Sequence, residues 1–196
     1  MVKKITNSKI VSLYLNDYGK KYYLREIASL LKKPHQTIKP YVEKLSKERI
    51  LIKIERKNLL EFGLNLNDKR ICDYITIAEK DKVQERLQDD AVIRILFEKL
   101  SDAFNNNSFV IFGSSVDGLK KESDIDVLVV GTKNVTRVLE DFKKIYNKKI
   151  HKIQIDNINK ITDALSMEVY KKHLILNNTE QITRYFLWKY GENKLV

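Results

Sequence analysis

Apolar residues follow two different periods along the chain, and the changes of period outline its elements. Leu24, Ile27, Ala28, Leu30 and Leu31 fall at helical spacing, so Leu24–Leu31 reads as a short amphipathic helix that Lys32-Lys33-Pro34 ends. Ile38, Tyr41, Val42 and Leu45 form one stripe of a second helix starting near Gln36-Thr37, with Thr37 as its N-cap and Pro40 as its fourth residue. Ile5, Ile10, Leu13 and Leu15 outline an earlier helix stopped at Asp17-Tyr18-Gly19. After this helix-turn-helix pattern, Ile50-Leu51-Ile52-Lys53-Ile54-Glu55 and Leu59-Leu60-Glu61-Phe62 read as two strands joined by the turn Arg56-Lys57-Asn58.

From Asp68 to Phe104 the chain has neither proline nor glycine. Ile71, Tyr74, Ile75, Ala78, Val83 and Leu87, then Val92, Ile95, Leu96 and Leu100, predict one or two helices, with a break at Glu79-Lys80-Asp81 or at Gln88-Asp89-Asp90. Their apolar stripe suits either pairing with a second copy, a homodimer, or packing on the chain's own domains. Asn105-Asn106-Asn107 then marks a turn. Ser108–Phe112 reads as an apolar strand ending at Gly113-Ser114-Ser115, and Asp124–Gly131 as a second strand. Val135–Tyr146 predicts a helix, Lys149–Ile155 a strand, Ile158–Lys172 a helix, and Glu180–Lys189 a closing helix.

Charge separates the two ends. Residues 1–70 hold 17 Lys and Arg against 7 Asp and Glu, whereas residues 71–196 hold 20 against 19. The excess suits a polyanion bound through counterion release at its phosphates, and double-stranded DNA is the partner expected for it. A 43% apolar content gives each half a core of its own. The one cysteine, Cys72, has no partner for an internal disulfide and reads as a small apolar residue of a helix, favouring a reducing compartment. No apolar run is long enough to span a bilayer, and the first residues have no apolar signal segment; the expectation is a cytoplasmic protein with no membrane association.

Leu24-Arg25-Glu26-Ile27-Ala28, Thr37, Leu45 and Ile50-Leu51 resemble the winged helix-turn-helix of prokaryotic transcription regulators, over roughly residues 5–66. The resemblance implies that the helix from Gln36 is the recognition helix, with His35, Gln36, Thr37 and Lys39 at its groove-facing start. It implies that Lys32, Lys33, Lys53, Arg56 and Lys57 meet phosphates.

The candidate chemistry lies later. Alternation along a strand sends Asp124 and Asp126 to one face and Ile125 to the other, and two carboxylates at a strand end make a hard oxygen site suited to Mg²⁺. The turn Gly113-Ser114-Ser115 offers amide and hydroxyl groups to phosphates. Together they resemble the polymerase β-type nucleotidyltransferases, most closely the minimal nucleotidyltransferases, over residues 90–190. The fold class this implies is α+β: a winged helix-turn-helix (residues 1–67), a helical connector (68–104) and a nucleotidyltransferase domain with a mixed sheet and flanking helices (105–196). By the same resemblance, Gly113 and Ser114 hold the triphosphate of a nucleoside triphosphate (NTP). The resemblance also implies that Asp124 and Asp126 ligate two Mg²⁺ ions, which bridge the phosphates, activate the attacking hydroxyl and neutralise the leaving pyrophosphate.

Two positions depart from that pattern. The third carboxylate of active members falls near Gln154, and only a shifted register presents Asp156 instead. Asp117 stands where minimal nucleotidyltransferases carry arginine, with Lys120 and Lys121 as substitutes for its charge. Two readings stay open: a DNA-binding transferase that moves a nucleotidyl group to a protein or nucleic-acid hydroxyl, in the manner of an antitoxin acting on a toxin partner, or a transcription regulator whose transferase fold only senses nucleotide.

Overall fold

A computed structural model describes residues 5–56, 59–118 and 124–195. The chain divides into two compact units, Met1–Glu79 and Lys80–Val196.

In the first unit, α1 (Asn7–Val11) starts on Thr6, whose hydroxyl accepts the Lys9 N–H at 3.3 Å, and runs into a 3₁₀ turn at Ser12–Tyr14. A short strand, β1 (Lys21–Tyr23), leads into α2 (Leu24–Leu30), where the Glu26 carboxylate reaches back to the Tyr23 N–H at 2.7 Å. The turn after α2 closes with Lys32 N–H on Ser29 O and Lys33 N–H on Ala28 O, both at 3.0 Å, which places Lys32 in the left-handed region at φ 52°. Then come α3 (His35–Lys47), β2 (Leu51–Arg56) and β3 (Leu59–Leu64), in an antiparallel sheet of order β1-β3-β2. Ile27, Ala28, Ile38, Val42 and Leu45 are buried in this unit's core, as are Ile10, Val11, Tyr14 and Ile50. The Tyr14 hydroxyl donates to Phe62 O at 2.8 Å, and burial pushes its phenol well above the ordinary range.

Two sequence expectations change here. Pro34, not Thr37, holds the N-cap position of α3, and the Thr37 N–H donates to Pro34 O at 3.0 Å. Pro40 is thereby the sixth residue of the helix instead of the fourth, and lacks the N–H that would bond the Gln36 carbonyl. Strand β1 went unpredicted because three residues are too few to show a period of two.

Helix α4 (Ile71–Asp89) runs through the division between the units. It buries Ile71, Cys72, Ile75 and Ala78 in its first half, and its Val83 and Leu87 join the second unit's core. The break falls at the later of the two expected places, where the Asp90 carboxylate caps α5 (Ala91–Leu100) by accepting the Val92 and Ile93 N–H groups at 3.0 and 3.1 Å. The second unit continues with β4 (Asn107–Phe112), β5 (Ile125–Gly131), α6 (Thr136–Tyr146), β6 (Ile150–Ile155), α7 (Asp163–Lys171), β7 (His173–Ile175) and α8 (Thr179–Gly191). Its mixed sheet has the order β6-β5-β4-β7, and only β5 and β6 run parallel. That pair requires a crossover, and α6 supplies it with Leu139 and Phe142 buried. Leu96, Phe109, Ile111, Ile125, Val127 and Leu174 lie in the core cluster that fixes the sheet.

The helix expected from Ile158 begins later. Ile158–Lys160 is a single 3₁₀ turn, and Thr162 caps α7 by accepting the Leu165 N–H at 3.3 Å. Among the described residues no helix is long and apolar enough to cross a membrane.

Candidate functional site

Every residue of β4 is buried, so the strand delivers its end, Phe112, to a fixed place opposite Asp126. The chain then turns through a 3₁₀ turn, Gly113–Val116, with Gly113 at φ 73°. A Cβ at Gly113 would lie 2.9 Å from Asp126 Oδ2, so only glycine lets the turn and the carboxylate approach this closely. The Gly113 N–H already donates to Lys172 O at 3.1 Å. Ser114 is exposed, whereas Ser115 is buried and donates its hydroxyl to Phe112 O at 3.2 Å, which holds the turn. Of the expected phosphate-binding hydroxyls, Ser114 is the one that faces solvent. Lys120 and Lys121 lie outside the described residues.

Asp124 precedes β5 and Asp126 is its second residue, with Ile125 fully buried between them. Both carboxylates are about one-third exposed and come to one edge of the same turn. The residue set beside them by the parallel register is His151, the partner of Asp126. Its Nδ1 lies 3.3 Å from Asp126 Oδ1 and its Nε2 3.7 Å from Asp124 Oδ2, so the imidazole bridges the pair.

The two residues considered for a third carboxylate are elsewhere. Gln154 pairs with Val129 and donates to Gly131 O and Lys133 O at 3.1 and 3.2 Å. Asp156 lies five residues beyond His151, about 16 Å at the usual strand rise, and contacts Lys160 at 2.6 Å. The Lys160 ammonium beside it holds its carboxyl below the ordinary range. The structure does not bring Asp156 to Asp124 and Asp126, because parallel strands align their starts with each other and Asp156 follows the end of β6. His151 went unnoticed as a site residue. The signal that locates it is the register of β6 counted from the first residue of that strand.

Among the described residues no three His, Cys, Asp or Glu side chains form a set able to hold a metal ion by themselves. Asp124 and Asp126 are nonetheless the donors suited to a Mg²⁺ that arrives with phosphates, since such an ion takes one or two protein carboxylates and completes its shell with phosphate and water. A second ion that depends on a third carboxylate does not fit the described residues, where His151 and no further Asp or Glu stands beside the pair.

Beside the turn, Lys172 Nζ contacts Asp117 Oδ2 at 2.5 Å. In the first unit the residues expected to meet DNA fall on α3 and β2 and in the turn before α3. Lys32, His35, Gln36, Thr37, Lys39, Lys53 and Arg56 are exposed and Lys33 is half-buried. Lys39 also reaches Glu43 at 3.8 Å, and Arg56 reaches Glu61 at 3.9 Å. Lys57 lies outside the described residues.

No curated protein matches the chain. Among solved structures, a chain of the crystal structure of the toxin–antitoxin complex MntA–HpeT is similar at 16% identity with a TM-score of 0.41, over 51% of this chain and 84% of that one. Residues 93–188 match the family model described as a nucleotidyltransferase domain, and the matched stretch contains Gly113, Asp124, Asp126 and His151.

Proposed function

We propose that the chain is a DNA-binding nucleotidyltransferase. Its first unit is a winged helix-turn-helix that docks on double-stranded DNA. Its second unit takes an NTP at Gly113-Ser114 and moves the nucleotidyl group to a hydroxyl of a protein or nucleic acid. The observation that carries the second half is the approach of Gly113 to Asp126, where a single added carbon would lie 2.9 Å from the carboxylate. That close approach sets the turn directly beside Asp126, so phosphates bound at the turn would lie next to a Mg²⁺ on the two carboxylates.

In the reaction the acceptor oxygen bonds to the α-phosphorus, the bond from that phosphorus to the β-bridging oxygen breaks, pyrophosphate leaves, and the hydroxyl proton passes to water. Asp124 and Asp126 would hold a Mg²⁺, whose chemistry there would be to neutralise charge on the phosphates. The chain's own part is to fix the turn through Ser115 and β4, and to hold both carboxylates on one edge. DNA binding rests on the concentration of positive charge in residues 1–70 and on the exposure of the first turn of α3.

One observation favours a second reading. With His151 in place of a third carboxylate, the site has the donors for one nucleotide-bound Mg²⁺ and lacks those for a second, which suits a regulator that senses nucleotide. Incubation of the full chain with each α-³²P-labelled NTP, Mg²⁺, DNA and cell protein separates the readings. Label transfer that disappears in the Asp124→Asn, Asp126→Asn variant supports the transferase. Mg²⁺-dependent nucleotide binding without transfer supports the sensor. Neither transfer nor binding overturns both.

A further inference from the structure

The backbone of Lys172 is held between the Gly113 turn and the end of α7. Its carbonyl accepts the Gly113 N–H at 3.1 Å, its own N–H donates to Val169 O at 3.2 Å, and its neighbour His173 pairs with Phe112 and is fully buried. A fixed backbone thus carries a long flexible stem, whose ammonium rests on Asp117 at 2.5 Å. Asp117 ends the 3₁₀ turn Gly113–Val116. Its side chain is 72% exposed and that of Lys172 is 35% exposed. An ion pair this open to water is weakly held.

The charges around the turn make the pair informative. Among the described residues, Asp117, Asp124 and Asp126 give three carboxylates, against which stands the ammonium of Lys172. A triphosphate arriving at Gly113-Ser114 adds further negative charge, and Mg²⁺ at Asp124 and Asp126 offsets only part of it. A polyphosphate offers several charged oxygens where Asp117 offers one carboxylate, and a released Asp117 returns to water at little cost because it is already exposed.

We propose that Lys172 is a phosphate-binding residue of this site and that Asp117 competes with the nucleotide for it. The proposal rests on the reading of the turn as a nucleotide site. On binding, the ammonium leaves the Asp117 carboxylate for a phosphate oxygen, with no change in covalent bonds. The two halves of one ion pair then have opposite effects on affinity. Asp117→Asn frees the lysine and tightens binding, Lys172→Met removes it and weakens binding, and Lys172→Arg keeps most of it.

The test is calorimetric titration of the full chain with ATP, CTP, GTP and UTP in MgCl₂, and with inorganic tripolyphosphate, each variant's thermal midpoint being recorded alongside. The expected results are about twofold to fivefold tighter binding for Asp117→Asn and about tenfold or more weaker binding for Lys172→Met. A pair that only braces the fold would lower the midpoint and weaken binding in both variants. Binding by the wild-type chain that both variants leave unchanged, or that both weaken, overturns the assignment of Lys172 alone. A wild-type chain that binds none of these triphosphates overturns the nucleotide site itself, and the assignment with it.

Discussion

The first unit spreads one sign of charge over a surface, whereas the second is nearly neutral and gathers opposite charges around one turn. Residues 1–70 carry 17 basic against 7 acidic residues, and exposed basic side chains lie on β1, α2, α3 and β2 and in the turns between them. In the second unit, Asp117, Asp124, Asp126, His151 and Lys172 come from separate loops and strand ends and meet beside Gly113. Action through summed charge is graded, because each contact adds a similar increment. Action through convergence depends on individual atoms, because two carboxylates and a turn must share one place. Substitutions should therefore have small, additive effects in the first unit and large, specific ones in the second.

The largest expected effect tests the graded half. A protein that neutralises about six phosphates loses roughly a thousandfold in DNA affinity between 50 and 200 mM salt. Gel-shift or fluorescence-anisotropy titrations of the full chain on duplex DNA across that range should show such a slope. Affinity that does not change with salt would remove the basis for reading the charge as a DNA surface.

Next comes the convergent half. Asp124→Asn combined with Asp126→Asn should weaken Mg²⁺-dependent nucleotide binding by about a hundredfold or more, as expected when the groups that hold a phosphate-bound metal lose their charge. DNA affinity should stay within about twofold of wild type, since the charge in residues 1–70 is untouched. A DNA affinity that falls in step with nucleotide binding would break the separation between the units.

His151→Asp sharpens the same half. The change places a third carboxylate next to Asp126, whose Oδ1 now lies 3.3 Å from the imidazole. Without Mg²⁺ three adjacent carboxylates repel one another, so the thermal midpoint should fall; with Mg²⁺ it should recover by more than in wild type. Label transfer should rise by about tenfold, one proton-free charge contact at a metal site being worth on the order of 1–2 kcal/mol. Loss of Mg²⁺ response in the variant would show that His151 does not stand at the third position.

How far the sequence foretold this depends on whether a feature is local. The stripes Ile27-Ala28 and Ile38-Val42-Leu45 belong to single helices, so periodicity located them. Gly113-Ser114 and Asp124-Ile125-Asp126 were legible because each is a contiguous motif at the end of an apolar strand. Which residue of β6 lies beside Asp126 was not legible because it depends on the register of β6 against β5, which no run of residues within β6 encodes. Counting from the downstream helix gave Gln154, and that helix in turn starts later than expected, at Asp163 behind Thr162. Asp117 and Lys172 were invisible as a pair because only β7, itself three residues long, brings Lys172 back beside the turn.

The smallest effect concerns backbone conformation, where the two units also differ. Among the described residues of the second unit, the non-glycine ones at positive φ, namely Asn147, Asn178 and Asn193, are of the type that tolerates the left-handed region. In the first unit they are Lys32 at 52° and Arg49 at 62°, each just past the end of a helix where glycine is the usual residue. A left-handed lysine costs about 1–2 kcal/mol, and glycine in its place costs about 0.5–1 kcal/mol in unfolded-state freedom. Lys32→Gly should thus stabilise the first unit by about 0.5–1 kcal/mol and raise its melting transition by about 4 °C. If Lys32 contacts a phosphate, the same variant should reduce the salt slope of DNA binding by about 0.9. Calorimetry and salt titration on one variant would then show stability rising as binding weakens, which is the expected mark of a charge placed for its partner at the expense of the fold. A variant that gains stability with no change in slope would assign the lysine no part in DNA binding.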